Sequence, residues 1–441
     1  MLSVMPNPRQ GVPSGTPSER KSQGDEQPGA LAWAHDLAVG LRALGEYELA
    51  RAVDEDTLSK RRQVLGEDHP DTLASAHYLA VDLSALGDHA QALKLGDDTL
   101  TRYRRVLGED ATLTLRSAHQ LANDLRSLGE HERARHLSED ILERRRRVLD
   151  QDHPATLRSA NNLAVDLRAL GEHQLARTLS EDTLTRCRRV LGEDHPHTLT
   201  SAHNLASDLR ALGDHGQARV LTEDTLTRCR RVLGEDHLRT LTLAHNLAAD
   251  LRALGDYQQA RAFDEDTLRR YRRVLGEDHP HTLSSAHNLA NDLRALGDHQ
   301  KARQLSEDVV SRRRRVLGHD HPDTLISVNN LALDLRTLGK YELSYALDED
   351  TLARCRQVLG QDHPNTLTAA YNLVRDLSGL GEHRRAHQLS EDILTRCQQA
   401  LSHDHPETPG SANDLADEVK TRAEHHRIRQ LAEWIKSQYP S

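Results

Sequence analysis

From Pro154 the chain reads PATLRSANNLAVDLRAL, then Gly171, then EHQLARTLSEDTLTRCRRVL, then Gly192. Leu157, Ala160, Leu163, Ala164, Leu167 and Leu170 recur at steps of three and four, which places them on one helix face. Ala176, Leu179, Thr183, Leu184 and Val190 give the next stretch a similar face. Pro154 suits a first helical turn, where its missing N–H costs nothing. Gly171 and Gly192 suit the left-handed residue that ends a helix. The pattern predicts a helix–turn–helix of two helices, A and B, of roughly 17 residues and about 25 Å each.

The pattern repeats. LGEDHP-like strings start at Leu65, Leu107, Leu149, Leu191, Leu233, Leu275, Leu317, Leu359 and Leu401, always 42 residues apart. The spacing divides the chain into 29–66, 67–108, 109–150, 151–192, 193–234, 235–276, 277–318, 319–360 and 361–402. A degenerate pair, 403–440, follows as a C-terminal cap, with Pro409 and Gly410 breaking the pattern and Ala423 in place of the inter-helix Gly. Residues 1–28 are rich in Pro, Gly and Ser and read as a disordered leader. Trp33 and Trp434 fall in the first and last pairs, where each is expected to cover an exposed end of the stack. Helix B repeats an acid-to-base pair four residues apart, Asp182–Arg186 in one repeat, which supports a solvated helix face.

The segment NNLAVDLRALGEHQLA (Asn161–Ala176) resembles the tetratricopeptide repeat (TPR) signature, with Leu163, Ala164, Gly171 and Ala176 at its packing positions. The 42-residue form, with its GxDHPxT junction, is similar to the repeats of kinesin light chains and nephrocystin-type proteins, and similar arrays are common in bacteria. The resemblance covers residues 29–440. It implies an all-α TPR solenoid, a right-handed superhelix of about ten helix–turn–helix repeats whose concave A-helix surface binds partners. The family's aromatic packing position is largely Leu here (Leu83, Leu125, Leu167).

Composition agrees. Of 441 residues only 3% are aromatic, and Phe263 is the sole Phe, so a core of Leu, Ala and Val must be thin. The scarcity of β-branched and aromatic residues argues against a sheet-rich fold. No apolar run approaches the roughly 18 residues of a membrane span, and no secretory signal is visible, so a cytoplasmic protein is expected. Cys187, Cys229, Cys355 and Cys397 share one helix-B register and make neither a disulfide framework nor a zinc site. There is no Walker A loop, G-x-G-x-x-G, G-x-S-x-G or H-E-x-x-H, so neither an enzyme nor a cofactor is expected.

The candidate site lies on the A-helix face opposite Leu163, Ala164 and Leu167. One ladder there reads His119, Asn161, His203, His245, His287 and Asn329. A second reads Arg126, Arg168, Arg210, Arg252, Arg294 and Arg336, and a third runs through Asn162, Asn204, Asn246 and Asn288. Arginine forks read carboxylates and phosphates, and Asn amides pair with an extended backbone. The resemblance to kinesin light chains likewise implies a groove for acidic peptides. Against this stands an Asp ladder two residues earlier, Asp166, Asp208, Asp250, Asp292 and Asp334, to which the arginines could bridge between repeats.

The reading that follows is a protein-interaction scaffold gripping an extended acidic peptide or a partner protein, whose effector would be a separate chain. The alternative is a self-associating structural array; both a monomer and a homodimer are compatible with the sequence. Binding of polyphosphate or nucleic acid is disfavoured by the net charge of −10. His153, His195 and the equivalent residues before Pro fit helix starts better than metal ligands, since one repeat separates them. The groove histidines could make binding pH-sensitive.

Overall fold

A computed structural model describes residues 26–402. Of the disordered leader expected at residues 1–28, residues 26–28 belong to the first helix, and the rest lies outside the described residues, as do the degenerate cap at 403–440 and Trp434. All the described elements are helices, and they divide between two compact blocks, 26–151 and 152–402 of the described residues. The first block holds α1 (Glu26–Ala43), α2 (Tyr47–Leu65), α3 (Pro70–Ala85), α4 (His89–Leu107), α5 (Thr112–Ser127) and α6 (His131–Leu149). The second holds α7 (Pro154–Ala169), α8 (His173–Leu191), α9 (Pro196–Ala211), α10 (His215–Leu233), α11 (Leu238–Ala253) and α12 (Tyr257–Leu275). It continues with α13 (Pro280–Ala295), α14 (His299–Leu317), α15 (Pro322–Thr337), α16 (Tyr341–Val358), α17 (Pro364–Gly379) and α18 (His383–Ser402). Odd-numbered helices are A and even-numbered helices are B.

The junction motif uses nearly every residue. Gly192 takes φ 88° after α8. Asp152 is clasped by two arginines of α8, Arg186 at 3.0 Å and Arg189 at 2.6 Å. His195 caps α9, its Nδ1 accepting the backbone N–H of His197 at 3.1 Å. Pro196 fills the first turn, and the Thr198 hydroxyl donates to the Gly192 carbonyl at 2.7 Å. The histidines therefore act at helix starts, as their position before Pro suggests. The helix-B pairs also form, Arg186 with Asp182 at 2.7 Å.

Each block packs as a succession of small cores. One comprises Leu226 of α10, Leu243, Leu247 and Leu251 of α11 and Ala260 of α12, with Phe263 at its edge. Val190, expected on the apolar face of helix B, is not part of such a core: it is 44% exposed in the last turn of α8. Trp33 is 68% exposed on α1. It stands in the register of Ser75, which in α3 faces the preceding B helix and accepts a bond from Arg61 at 2.8 Å. Gly40 in α1 stands in the register of Asp82, the carboxylate that in α3 receives an arginine from the repeat before.

One junction departs from the rule. Asp150 has φ 80° and ψ 157°, where Gly66, Gly108, Gly192, Gly234, Gly276, Gly318 and Gly360 stand in the other repeats. A side chain in that region costs on the order of 1–3 kcal/mol. Asp150→Gly should therefore raise the melting temperature; a lowered one would show that the Asp150 side chain, whose Oδ1 accepts the Gln151 N–H, offsets the strain.

Candidate functional site

The A-helix face is more crowded than its sequence suggests. Successive A helices touch, α3 with α5, α7 with α9, α11 with α13 and α15 with α17, so residues opposite the main core meet a second neighbour. Asn161, Asn204 and Asn329 are buried, and His203, His245 and His287 are half-buried.

The arginine ladder of the second block forms inter-repeat ion pairs. Arg168 reaches Asp208 at 2.5 Å, Arg210 reaches Asp250 at 2.7 Å and Arg252 reaches Asp292 at 2.5 Å. Arg294 and Arg336 reach Asp334 and Asp376, both at 2.6 Å. The aspartates are fully buried, while the arginine side chains fall from 23% exposed at Arg168 to 6% at Arg336. Of the two roles open to these arginines, the inter-repeat bridge is the one this geometry forms. In the first block Arg42 does the same with Asp82 at 2.9 Å, and Arg126 donates to Asn123 Oδ1 at 3.0 Å.

Helix B differs from repeat to repeat at the position facing the seam: Gly96 has no side chain there, and the Thr222 hydroxyl is buried without a hydrogen bond. Ser180 donates to Asp208 and Ser306 to Asp334, both at 2.6 Å. In three repeats an aspartate stands in that register. Asp54 takes Arg42 at 2.5 Å, Asp264 takes Arg252 at 2.5 Å and Asp348 takes Arg336 at 2.6 Å. There, two carboxyls share one guanidinium. Burial, opposed by Arg252 and reinforced by Asp292, pushes Asp264 up to about 8. Burial and Asp376 push Asp348 up to about 9. Each value belongs to its pair, which retains a proton.

The histidine and asparagine ladders join across repeats. The Asn288 amide lies 3.2 Å from His245 Nε2, and that of Asn330 lies 2.8 Å from His287 Nε2. Asn161 donates to Ser201 Oγ at 2.7 Å. Burial, assisted by nearby arginines, pushes His203, His245 and His287 down to about 4. These rings are neutral at physiological pH. Burial disfavours the imidazolium at all three positions.

The same face carries one more register, not followed from repeat to repeat in the sequence. It reads Val165, Ser207, Ala249, Asn291, Leu333 and Arg375, and all are half-buried. Its signal was available as the variation among repeats that are otherwise nearly identical. No helix of the described residues is long and apolar enough to cross a membrane. Among those residues no cluster of His, Cys, Asp or Glu is arranged to hold a metal ion. Cys187, Cys229 and Cys355 are free and buried.

The tetratricopeptide repeat model matches in overlapping segments, 29–105, 77–147, 113–184, 156–230, 208–273, 239–315, 282–343 and 325–399. The chain belongs to the tetratricopeptide repeat family. Among solved structures, this TPR chain is similar to a Podosopora anserina kinesin light chain with nearly identical TPR-like repeats. That match has 30% identity and a TM-score of 0.42, covering 46% of this chain and 96% of the other. BtubC (BKLC) from P. vanneervenii is 19% identical with a TM-score of 0.46, over 52% of this chain and 92% of its own. The apo quorum sensor NprR from B. thuringiensis is 14% identical over 84% of this chain and 99% of its own, with a TM-score of 0.58, a likeness of fold. No curated protein matches the TPR chain.

Proposed function

We propose that this TPR chain is a non-catalytic scaffold that seats an extended segment of a partner protein on its A-helix face. The observation that carries this is the half-buried strip from Val165 to Arg375. Its constant neighbours are occupied by joints between repeats, whereas the strip changes chemistry from one repeat to the next. A surface that varies on a constant frame suits recognition of a side-chain sequence. His203, His245 and His287 border it with neutral rings, and Asn161 and Asn329 with amides. The outer edges of Arg168, Arg210, Arg252 and Arg294 would meet acidic side chains of such a segment. The effector of this binding would be a separate chain, in the cytoplasm.

The test is a double variant, Ser207→Arg with Ala249→Arg. Arginine is tolerated in this register, where Arg375 already stands. Affinity capture from native lysate should lose the partner at least about tenfold while the melting temperature holds. Undiminished capture by the folded variant would overturn the proposal.

A further inference from the structure

The open side of α1 carries an apolar stripe. Trp33, Leu37, Gly40 and Leu44 recur at steps of four, three and four, so they share one helix face. Leu37 is 39% exposed, and Leu44, just past the helix end, is 79% exposed. With Asp36 and Leu41 these residues line an open cleft of about 380 Å³. Gly40 is a notch in the stripe: a methyl group added there would meet nothing within 4 Å.

In later repeats the preceding B helix covers this side of the A helix. Leu79, in the register of Leu37, is 8% exposed and shares a core with Leu58 of α2. That joint also has polar partners. The register of Gly40 holds Asp in every A helix from α3 to α17, and Ser75 and Ser327, in the register of Trp33, each accept an arginine of the B helix before them. With Gly40 for the Asp and Trp33 for the Ser, α1 offers no acceptor to the arginines of such a repeat. A solvated outer face would be polar. The stripe instead asks for an apolar cover of another kind.

Shape selects that cover. Trp33 is the largest knob of the stripe and Gly40 its one gap, and they lie about 10 Å apart along the helix. In an antiparallel pair about a two-fold axis beside Leu37, each tryptophan comes opposite the other copy's glycine, and Leu37 of both copies fills the centre. A surface that is its own complement is what an isologous contact requires. We propose that a second copy of this chain covers α1 in this way, Trp33 of each copy seated at Gly40 of the other. The contact is one helix wide, so its area lies below about 1,200 Å² in total and the pairing is weak and reversible. Val39, which shares the register of Val165, lies on another side of α1, so pairing leaves the variable strip open.

Sedimentation velocity of the full chain, over about a hundredfold range of micromolar concentrations, tests the pairing. Mass should rise from one copy to two and stop there. Trp33→Ser takes the residue of Ser75 and should weaken the dimer at least about tenfold, with helicity and melting temperature unchanged. Gly40→Leu separates fit from mere apolarity. It adds apolar surface but fills the notch, so it too should weaken the dimer, at least about fivefold. Leu175→Gln is the control: it replaces a leucine of α8 that is 58% exposed with the residue of Gln217, and should change the dimer less than about twofold. A monomer throughout, growth beyond two copies, an undiminished dimer of Trp33→Ser or a tighter one of Gly40→Leu would overturn the proposal.

Discussion

Arg252→Met lowers the stability of the second block by about 3–5 kcal/mol, the usual cost of stripping one partner from a buried ion pair. Among the described residues Arg252 is the one cation paired with both Asp264 and Asp292, and both carboxylates are fully buried. Without it, two acids face each other with only His245, 3.8 Å from Asp264, nearby. That ring is itself held neutral by burial. Arg252 comes from α11, Asp264 from α12 and Asp292 from α13, so the loss falls on a joint between repeats. Stability in repeat arrays is close to a sum of repeat and nearest-neighbour contributions, so one weakened joint also uncouples what lies on either side. Urea denaturation should show an earlier midpoint and a broadened or divided transition. Adding Asp264→Ser, which reproduces the arrangement of Ser306 with Asp334, should recover part of the loss. A single transition at the wild-type midpoint would refute the account of the seam.

The second large effect is on pH dependence. Asp264 and Asp348 titrate at about 8 and about 9 when folded, against an ordinary carboxylate value of about 3.9 when unfolded. At these two carboxyls the folded chain therefore holds protons that the unfolded chain has released throughout that window. Stability has a negative slope with pH wherever the native state holds the extra proton. The contribution is fully present below the unfolded value and is lost as pH rises through the folded values. The charged groups around Asp264 are Arg252, Asp292 and His245; those around Asp348 are Arg336 and Asp376. Asp264→Asn with Asp348→Asn keeps the shape and removes the titration. The wild-type melting temperature should fall between pH 6 and pH 9, and the double variant should fall much less. Parallel curves for the two chains would rule out the shared-proton pairs.

Several features were legible because they need only local geometry. Helix boundaries follow from Pro154, Gly171 and Gly192, whose backbone preferences act within one turn. The role of His195 follows from its place before Pro196. The family follows from a period that no insertion disturbs. The arginine ladder was legible as a ladder, but its engagement was not. Arg210 and Asp250 are 40 residues apart, and whether they meet depends on how closely α9 and α11 approach. Asp264 looks in sequence like any helix-B acid, although burial pushes its carboxyl well above the usual range.

The sequence by itself determined the class of fold, the repeat length and the helix ends, because these depend on hydrophobic period and backbone preference over short distances. The tertiary structure alone decided which charges face water and which face each other. Burial and proximity set the protonation of a carboxyl and the availability of a guanidinium, and both arise only when one repeat is laid against the next.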